Sequence, residues 1–139
     1  MKNLFLTWIL ILGIIGLGFA QTQKTLVKTL AVDEDYNEVT LTLEANIEVE
    51  EWDSKTIRII TEININTGEQ ILKAHIKAGR YNYETDYDTE NNILLLNMPK
   101  KEHVIVINGL TLKDNLILKV YIPKGMKYNI ENTNPQMLL

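Results

Sequence analysis

Apolar and polar side chains alternate strictly along two neighbouring stretches of this chain. Between residues 39 and 49, and again between 57 and 65, nearly every odd position is apolar. A period of two places alternate side chains on opposite faces of a β-strand, so both stretches are predicted to be half-buried strands. The first run is long for one strand, and a bend is expected at Glu44-Ala45-Asn46. Polar residues 53–55 predict a turn, which suggests a hairpin with Trp52 packed over its end.

The period changes after this second run, and a single short helix is predicted there. Thr67 and Gln70 have the spacing of a capping box, and Gly79 lies where a glycine commonly ends a helix. Between them, four residues follow one-face helical spacing: Ile71, Leu72, His75 and Ile76. We therefore expect one helix over about residues 68–78, lying on a sheet edge or an open end of the core.

The remainder of the chain predicts further short strands. The run 116–122 is the most hydrophobic and is expected to be central, and Asn108-Gly109 is a strong turn signal after a short strand over 104–107. Other strands are predicted at 81–85, 93–98 and 128–131. The expected fold is mostly β, an antiparallel meander or short sandwich of about seven or eight strands with the one short helix.

The amino-terminal residues 1–20 have the layout of a secretory signal peptide. Lys2 precedes an apolar run, and the small residues Gly18 and Ala20 lie at positions −3 and −1 before the expected cleavage point at Gln21. The rival interpretation is an uncleaved membrane anchor, because the apolar stretch 4–20 reaches the lower limit for a spanning helix. The signal-peptide pattern predicts an exported protein of the periplasm, cell surface or extracellular space, free of the membrane after cleavage. Residues 21–139 would then form a single β-rich domain.

Composition excludes several classes of function. The chain carries a net charge of −4 with dispersed lysines, so no nucleic-acid partner is expected. It has no cysteine, two histidines and a single serine, Ser54. A nucleophile with an adjacent base therefore has no candidate, and we predict neither an enzyme nor a cofactor. Without disulfides, the domain must be held together by packing.

Three tyrosines form the one candidate binding surface. Tyr81, Tyr83 and Tyr87 alternate with polar residues, so their rings are expected on one face of a strand, where they could stack on a sugar or contact a protein. The alternative is that they merely cover one side of the sheet. Tyr87 is expected to be the most exposed of the three.

The same segment holds the candidate metal ligands Asp86, Asp88 and Glu90. Carboxylates at alternate positions can bind Ca²⁺, but the glycine and the closing glutamate of an EF-hand loop are missing. A solvated hairpin tip explains the same residues, and no metal site is predicted.

Three segments carry a resemblance to a known family. The run 41–53 reads as strand, bend and strand followed by Trp52-Asp53, and Ile107-Asn108-Gly109 and Leu118 to Gly125 lie farther on. Over about residues 39–126 the chain resembles the opening module of exported bacterial adhesin-like proteins with a "head GIN" domain. The resemblance implies a right-handed β-solenoid, here as a truncated module or a stand-alone sheet with a helix, and a role at the cell envelope or surface.

These observations together predict a non-enzymatic, adhesin-like module with a binding or structural role, whose partner is a protein or glycan of the cell envelope. Two alternatives remain open from the sequence. One is a small secreted ligand-binding barrel or hydrolase, which would need an enclosed cavity. The other is a regulator of envelope signalling.

Overall fold

A computed structural model describes residues 21–131, and the predicted signal segment lies outside the described residues. Within them the chain is mostly β with one α-helix, as the sequence predicts. The strands are β1 (Thr22–Ala31), β2 (Glu38–Thr42), β3 (Asn46–Trp52), β4 (Thr56–Ile65), β5 (Glu84–Asp88), β6 (Ile93–Asn97), β7 (Val106–Ile107), β8 (Leu110–Thr111), β9 (Asp114–Pro123) and β10 (Lys127–Glu131). The helix α1 spans Glu69–Lys77, and a short 3-10 helix spans Pro99–Glu102.

Eight of the strands form two open four-stranded sheets. The first sheet has the order β1-β4-β9-β3 and the second sheet the order β10-β2-β6-β5. Each mixes pairing directions, because β3 runs parallel to β9 and β2 runs parallel to both β6 and β10, while the other pairs are antiparallel. The connectivity is therefore not that of an antiparallel meander. Strands β7 and β8 form a separate small hairpin around Asn108-Gly109, both with positive φ, as the turn signal predicts.

The bend predicted at residues 44–46 is confirmed. Strand β2 ends at Thr42 and β3 begins at Asn46, and the two belong to different sheets. The hairpin predicted from the two alternating runs is wrong, because β9 lies between β3 and β4 in the first sheet. The central position predicted for residues 116–122 explains this difference, since the most apolar strand is inserted where it can be covered by a strand on each side.

One hydrophobic core joins the two sheets. The odd positions of β4, including Ile57, Ile59 and Ile63, are buried together with the even positions of β9 and with residues of β2 and β6 such as Leu41 and Leu96. Leu72 is the one fully buried residue of α1 and fixes the helix to this core. Because the inward face is filled, the opposite faces of β4 and β9 are directed away from the core.

The predicted helix is confirmed, but its predicted cap is not. Gly68 is the N-cap, and no side chain caps the helix. The Thr67 carbonyl instead accepts a hydrogen bond of 2.7 Å from the Thr22 hydroxyl, which ties the helix entry to β1. Gly79 follows the helix with φ of +82°, and a Cβ there would lie 2.9 Å from the side chain of Asn82. The glycine at the helix end is thus required by both conformation and space.

Candidate functional site

The outward face of the first sheet carries a cluster of aromatic and charged side chains. Tyr121 of β9 lies between Arg58 of β4 and Glu50 of β3 in the strand register. Trp52 follows on the same face of β3, two residues after Glu50, and Lys119 precedes Tyr121 on β9 in the same way. We call these five residues, Glu50, Trp52, Arg58, Lys119 and Tyr121, the aromatic face.

Trp52 is the centre of the aromatic face. Its ring centroid lies 5.5 Å from that of Tyr121, with the ring planes inclined at 38°. The guanidinium carbon of Arg58 lies 4.9 Å from the Trp52 ring centroid, a cation–π distance. The indole Nε1 donates a hydrogen bond of 2.7 Å to the carbonyl of Thr56, which fixes the ring at the end of the sheet. Both rings are half-buried, so each is held by its neighbours and still has surface open to solvent.

Lys119 and Glu50 form a charge pair beside Tyr121. Lys119 Nζ lies 3.5 Å from Glu50 Oε1 and 5.5 Å from the Tyr121 ring centroid. A hydrogen bond with the Tyr121 side chain, together with the nearby Glu50 carboxylate, raises the pKa of Lys119. The lysine therefore stays charged, and its charge is compensated locally.

Arg58 differs from Lys119 in this respect. Its side chain is exposed, and within residues 21–131 the guanidinium forms no ion pair or hydrogen bond, although it makes a cation–π contact with the Trp52 ring. Guanidinium groups carry five N–H donors in a planar fork. The aromatic face therefore presents one cation without a carboxylate partner in the described part of the chain, held beside the Trp52 ring by a cation–π contact.

Apolar side chains continue the same surface toward β1. Val27 is 63% exposed and pairs across strands with Ile60, and Ile117 is 46% exposed on β9. The charged residues Glu62 and Lys119 occupy the adjoining register positions. The surface is thus a mixed one, in which three aliphatic residues are interspersed with charges rather than joined into a broad hydrophobic patch.

The three tyrosines predicted as a binding stripe lie in three different environments. Strand β5 begins only at Glu84, so Tyr81 and Tyr83 precede it and do not share a strand face with Tyr87. Tyr81 is buried, and the Tyr83 hydroxyl lies 2.6 Å from that of Thr61. Burial is the main reason that the pKa of Tyr83 rises to about 12. The structure therefore does not bring these residues together on one surface.

Tyr87 is the most exposed of the three, as predicted, at 49%. Its ring centroid lies 5.0 Å from that of Tyr36, which precedes β2. This pair is separate from the aromatic face, since β5 is the edge strand of the second sheet.

Tyr81 belongs to a buried polar network that sequence reasoning missed. Its hydroxyl donates a hydrogen bond of 2.9 Å to Asp114 Oδ2, and Arg80 donates to both Asp114 oxygens, at 2.8 and 3.3 Å. Arg80 also donates to the carbonyls of Lys100 and His103. Burial raises the pKa of the Asp114 carboxyl, but hydrogen bonds from Arg80 and Tyr81 and the charge of Lys101 outweigh it, and the pKa is lowered.

The buried polar groups of this network all have hydrogen-bond partners, so we assign the network a structural role. Among the described residues, no buried side-chain nitrogen or oxygen lacks a hydrogen-bond partner. Arg80 and Asp114 use their hydrogen-bonding groups on each other and on loop carbonyls, so neither is available for a substrate. The network joins the end of α1 and the 3-10 helix to the start of β9.

The carboxylates considered as metal ligands serve the turn between β5 and β6. Asp88 accepts hydrogen bonds from the backbone N–H groups of Glu90 and Asn91 and from the Asn91 side chain. Asp86 accepts from the backbone N–H of Tyr87. In residues 21–131 no group of three or more histidine, aspartate or glutamate side chains is placed to bind a metal ion.

Over the same residues, no helix is long and apolar enough to cross a membrane.

Comparison with known proteins provides no relative. No family model, curated protein or solved structure matches the chain.

Alternation in the sequence already indicates part of the aromatic face. In β9 the even positions are the apolar core set, so Lys119 and Tyr121 must point outward. In β3 the polar set that includes Glu48 and Glu50 continues to Trp52. An outward tryptophan and an outward tyrosine could thus be predicted, but their contact could not, because they are far apart in sequence.

Proposed function

We propose that this protein is an exported, non-enzymatic binding module of the cell envelope or surface, and that it binds its partner through the aromatic face. The observation that carries the proposal is the fixed Trp52–Tyr121–Arg58 cluster on the solvent side of a sheet whose other side is filled. Tryptophan, tyrosine and arginine are the residue types that dominate the energetics of binding surfaces.

The position of the cluster supports recognition rather than simple packing. Side chains held on paired strands lose little conformational freedom on binding, which favours affinity. The indole hydrogen bond and the stacking of Arg58 restrict these side chains before any partner arrives. The same sheet also holds the most hydrophobic strand in its interior, with a paired strand on each side.

Export and the envelope location rest on other observations. The layout of residues 1–20 is that of a signal peptide, and the resemblance to adhesin-like proteins over residues 39–126 implies the same setting. The shortage of histidine, serine and cysteine supports a binding role over hydrolysis.

A binding assay with envelope preparations tests this proposal. Fluorescently labelled full-length protein would be incubated with the envelope fraction of the source cells, and bound protein measured at increasing concentration. Tyr121→Ala is expected to weaken binding by about tenfold or more, as loss of an aromatic anchor does. Tyr87→Ala is the matched control, because Tyr87 is an exposed tyrosine on the other sheet.

Folding must be checked in the same samples. Thermal unfolding should show that Tyr121→Ala is still folded at the assay temperature. Saturable binding that Tyr121→Ala reduces and Tyr87→Ala leaves unchanged would support the proposal. Equal binding by the wild type and both variants, or no saturable binding at all, would overturn it.

A further inference from the structure

We infer that the partner of the aromatic face is a glycan carrying carboxylate groups, with Arg58 as the residue that selects the acidic sugar. This inference rests on the proposed function, because it names the chemical class of the ligand for that same surface.

Within the described residues, the unpaired Arg58, rather than the charge of the surface as a whole, points to an anionic group. Of its two cations, Lys119 is paired with Glu50 at 3.5 Å, whereas Arg58 has no ionic partner among the described residues. Its guanidinium carbon lies 4.9 Å from the centroid of the Trp52 ring. A planar guanidinium matches a carboxylate, to which it can donate two parallel hydrogen bonds.

The aromatic rings supply the second part of the recognition. Trp52 and Tyr121 retain solvent-exposed surface next to Arg58. The C–H faces of a sugar ring are apolar, and they can pack on an aromatic ring as other apolar groups do. In a uronic acid the carboxylate is attached to the edge of the sugar ring. A single sugar unit can therefore contact an aromatic side chain with its C–H face and Arg58 with its carboxylate.

The remainder of the sheet surface fits a polyhydroxylated ligand better than a protein. Uncharged hydrogen-bonding side chains line the outward positions of all four strands: Gln23, Thr25, Thr29, Asn46, Asn64 and Asn115. Amides and hydroxyls both donate and accept, and so they match sugar hydroxyls. The centre of a protein interface is depleted in charged residues, whereas here Glu62 and Lys119 lie among Val27, Ile60 and Ile117.

The chain as a whole is acidic, with a net charge of −4. A general attraction for polyanions is therefore absent, and discrimination must come from the local geometry at Arg58. Binding is expected to weaken as ionic strength rises, since Arg58 is exposed and its interaction with a carboxylate is screened by salt.

Calorimetric titration with a matched pair of glycans tests the inference. The probes are an oligogalacturonate and the same oligosaccharide after reduction of its carboxylates to alcohols. The wild-type full chain is expected to bind the acidic form at least about tenfold more tightly. Arg58→Gln should remove that preference while leaving thermal stability unchanged, because the side chain is exposed.

Two further measurements separate the possible outcomes. Arg58→Lys keeps the charge and loses the planar fork, so it should restore only part of the preference. Poly-glutamate serves as a carboxylate-bearing peptide, and binding of poly-glutamate as tight as that of the oligogalacturonate would overturn the glycan assignment.

Failure of the inference can be told from failure of the proposed function. Equal affinity for the acidic and neutral oligosaccharides, or no affinity for either, would overturn the role of Arg58. The envelope assay with Tyr121→Ala would still report whether the aromatic face binds a partner. In that assay, loss of binding after protease treatment of the envelopes, with none after periodate treatment, would identify a protein partner and also overturn the glycan assignment.

Discussion

At the scale of single residues, the same side-chain types have different roles according to their surroundings. Arg80 is buried and pairs with Asp114 at 2.8 Å, whereas Arg58 is exposed and stacks on Trp52. Tyr81 and Tyr121 show the same division between a framework residue and a surface residue. Burial and hydrogen bonding by neighbours, rather than residue type, decide which side chains are available to a partner.

The buried pair gives a prediction for stability at neutral pH. Asp114→Asn would leave the buried guanidinium of Arg80 without its counter-charge, and loss of one partner of a buried ion pair costs about 3–5 kcal/mol. We expect a loss in this range in the free energy of unfolding from urea titration. Asp53→Asn, in the exposed turn before β4, is the control and should change stability by less than about 0.5 kcal/mol.

The same pair sets the direction of the pH dependence. The pKa of Asp114 is lower in the folded protein than its ordinary value. Its stabilisation is therefore fully present above the unfolded pKa of about 3.9 and is lost as the pH falls through the lowered folded value. The wild type should lose stability faster than Asp114→Asn below about pH 4. Parallel pH profiles, or a neutral-pH cost under about 1 kcal/mol, would contradict the role assigned to this network.

At the scale of secondary structure, local patterns predicted the elements well and their pairing poorly. The alternating runs, the helix near 68–78, the bend before Asn46 and the turn at Asn108-Gly109 all follow from neighbouring residues, and all are present. The insertion of β9 between β3 and β4 depends on residues far apart in the chain. No local period contains that information.

The candidate site shows the same limit. Outward positions could be predicted from alternation, but the Trp52–Tyr121 contact joins β3 to β9, and Arg80 reaches Asp114 across 34 positions. The prediction that three tyrosines share one strand face is wrong for a local reason. The turn that follows α1 extends through Tyr81, and β5 starts only at Glu84. The alternation of residues 81–83 therefore suggested a strand where the chain forms a turn and a loop.

The helix provides the prediction at this scale. Leu72 is its only fully buried side chain, so Leu72→Ala should create a cavity and cost about 2–5 kcal/mol of unfolding free energy. Lys73→Ala, on the exposed side, removes a surface ion pair with Glu69 and should cost no more than about 1 kcal/mol. Equal effects of the two variants in denaturant titration would show that α1 is not anchored to the core through Leu72.

At the scale of the whole molecule, the described residues form two open sheets that share one core, and the outward face of the first sheet carries exposed side chains such as Arg58 and Ile117. Both sheets have two edge strands, β1 and β3 in the first and β5 and β10 in the second. The architecture is therefore an open one, unlike a closed ligand-binding barrel. The aromatic face lies on the outward side of the first sheet, and the Tyr36–Tyr87 pair lies at the edge of the second. Binding should be confined to the former.

The central claim is that partner binding takes place on the aromatic face, and NMR mapping tests it most directly. Amide chemical shifts of ¹⁵N-labelled protein would be followed during titration with soluble glycan released from the envelope of the source cells. The predicted result is a set of perturbed amides confined to residues 50–58 of β3 and β4 and 117–123 of β9, absent in Trp52→Phe combined with Tyr121→Ala. Perturbations centred on Tyr36 and Tyr87, or on the β7–β8 hairpin, with none on the aromatic face would contradict the claim.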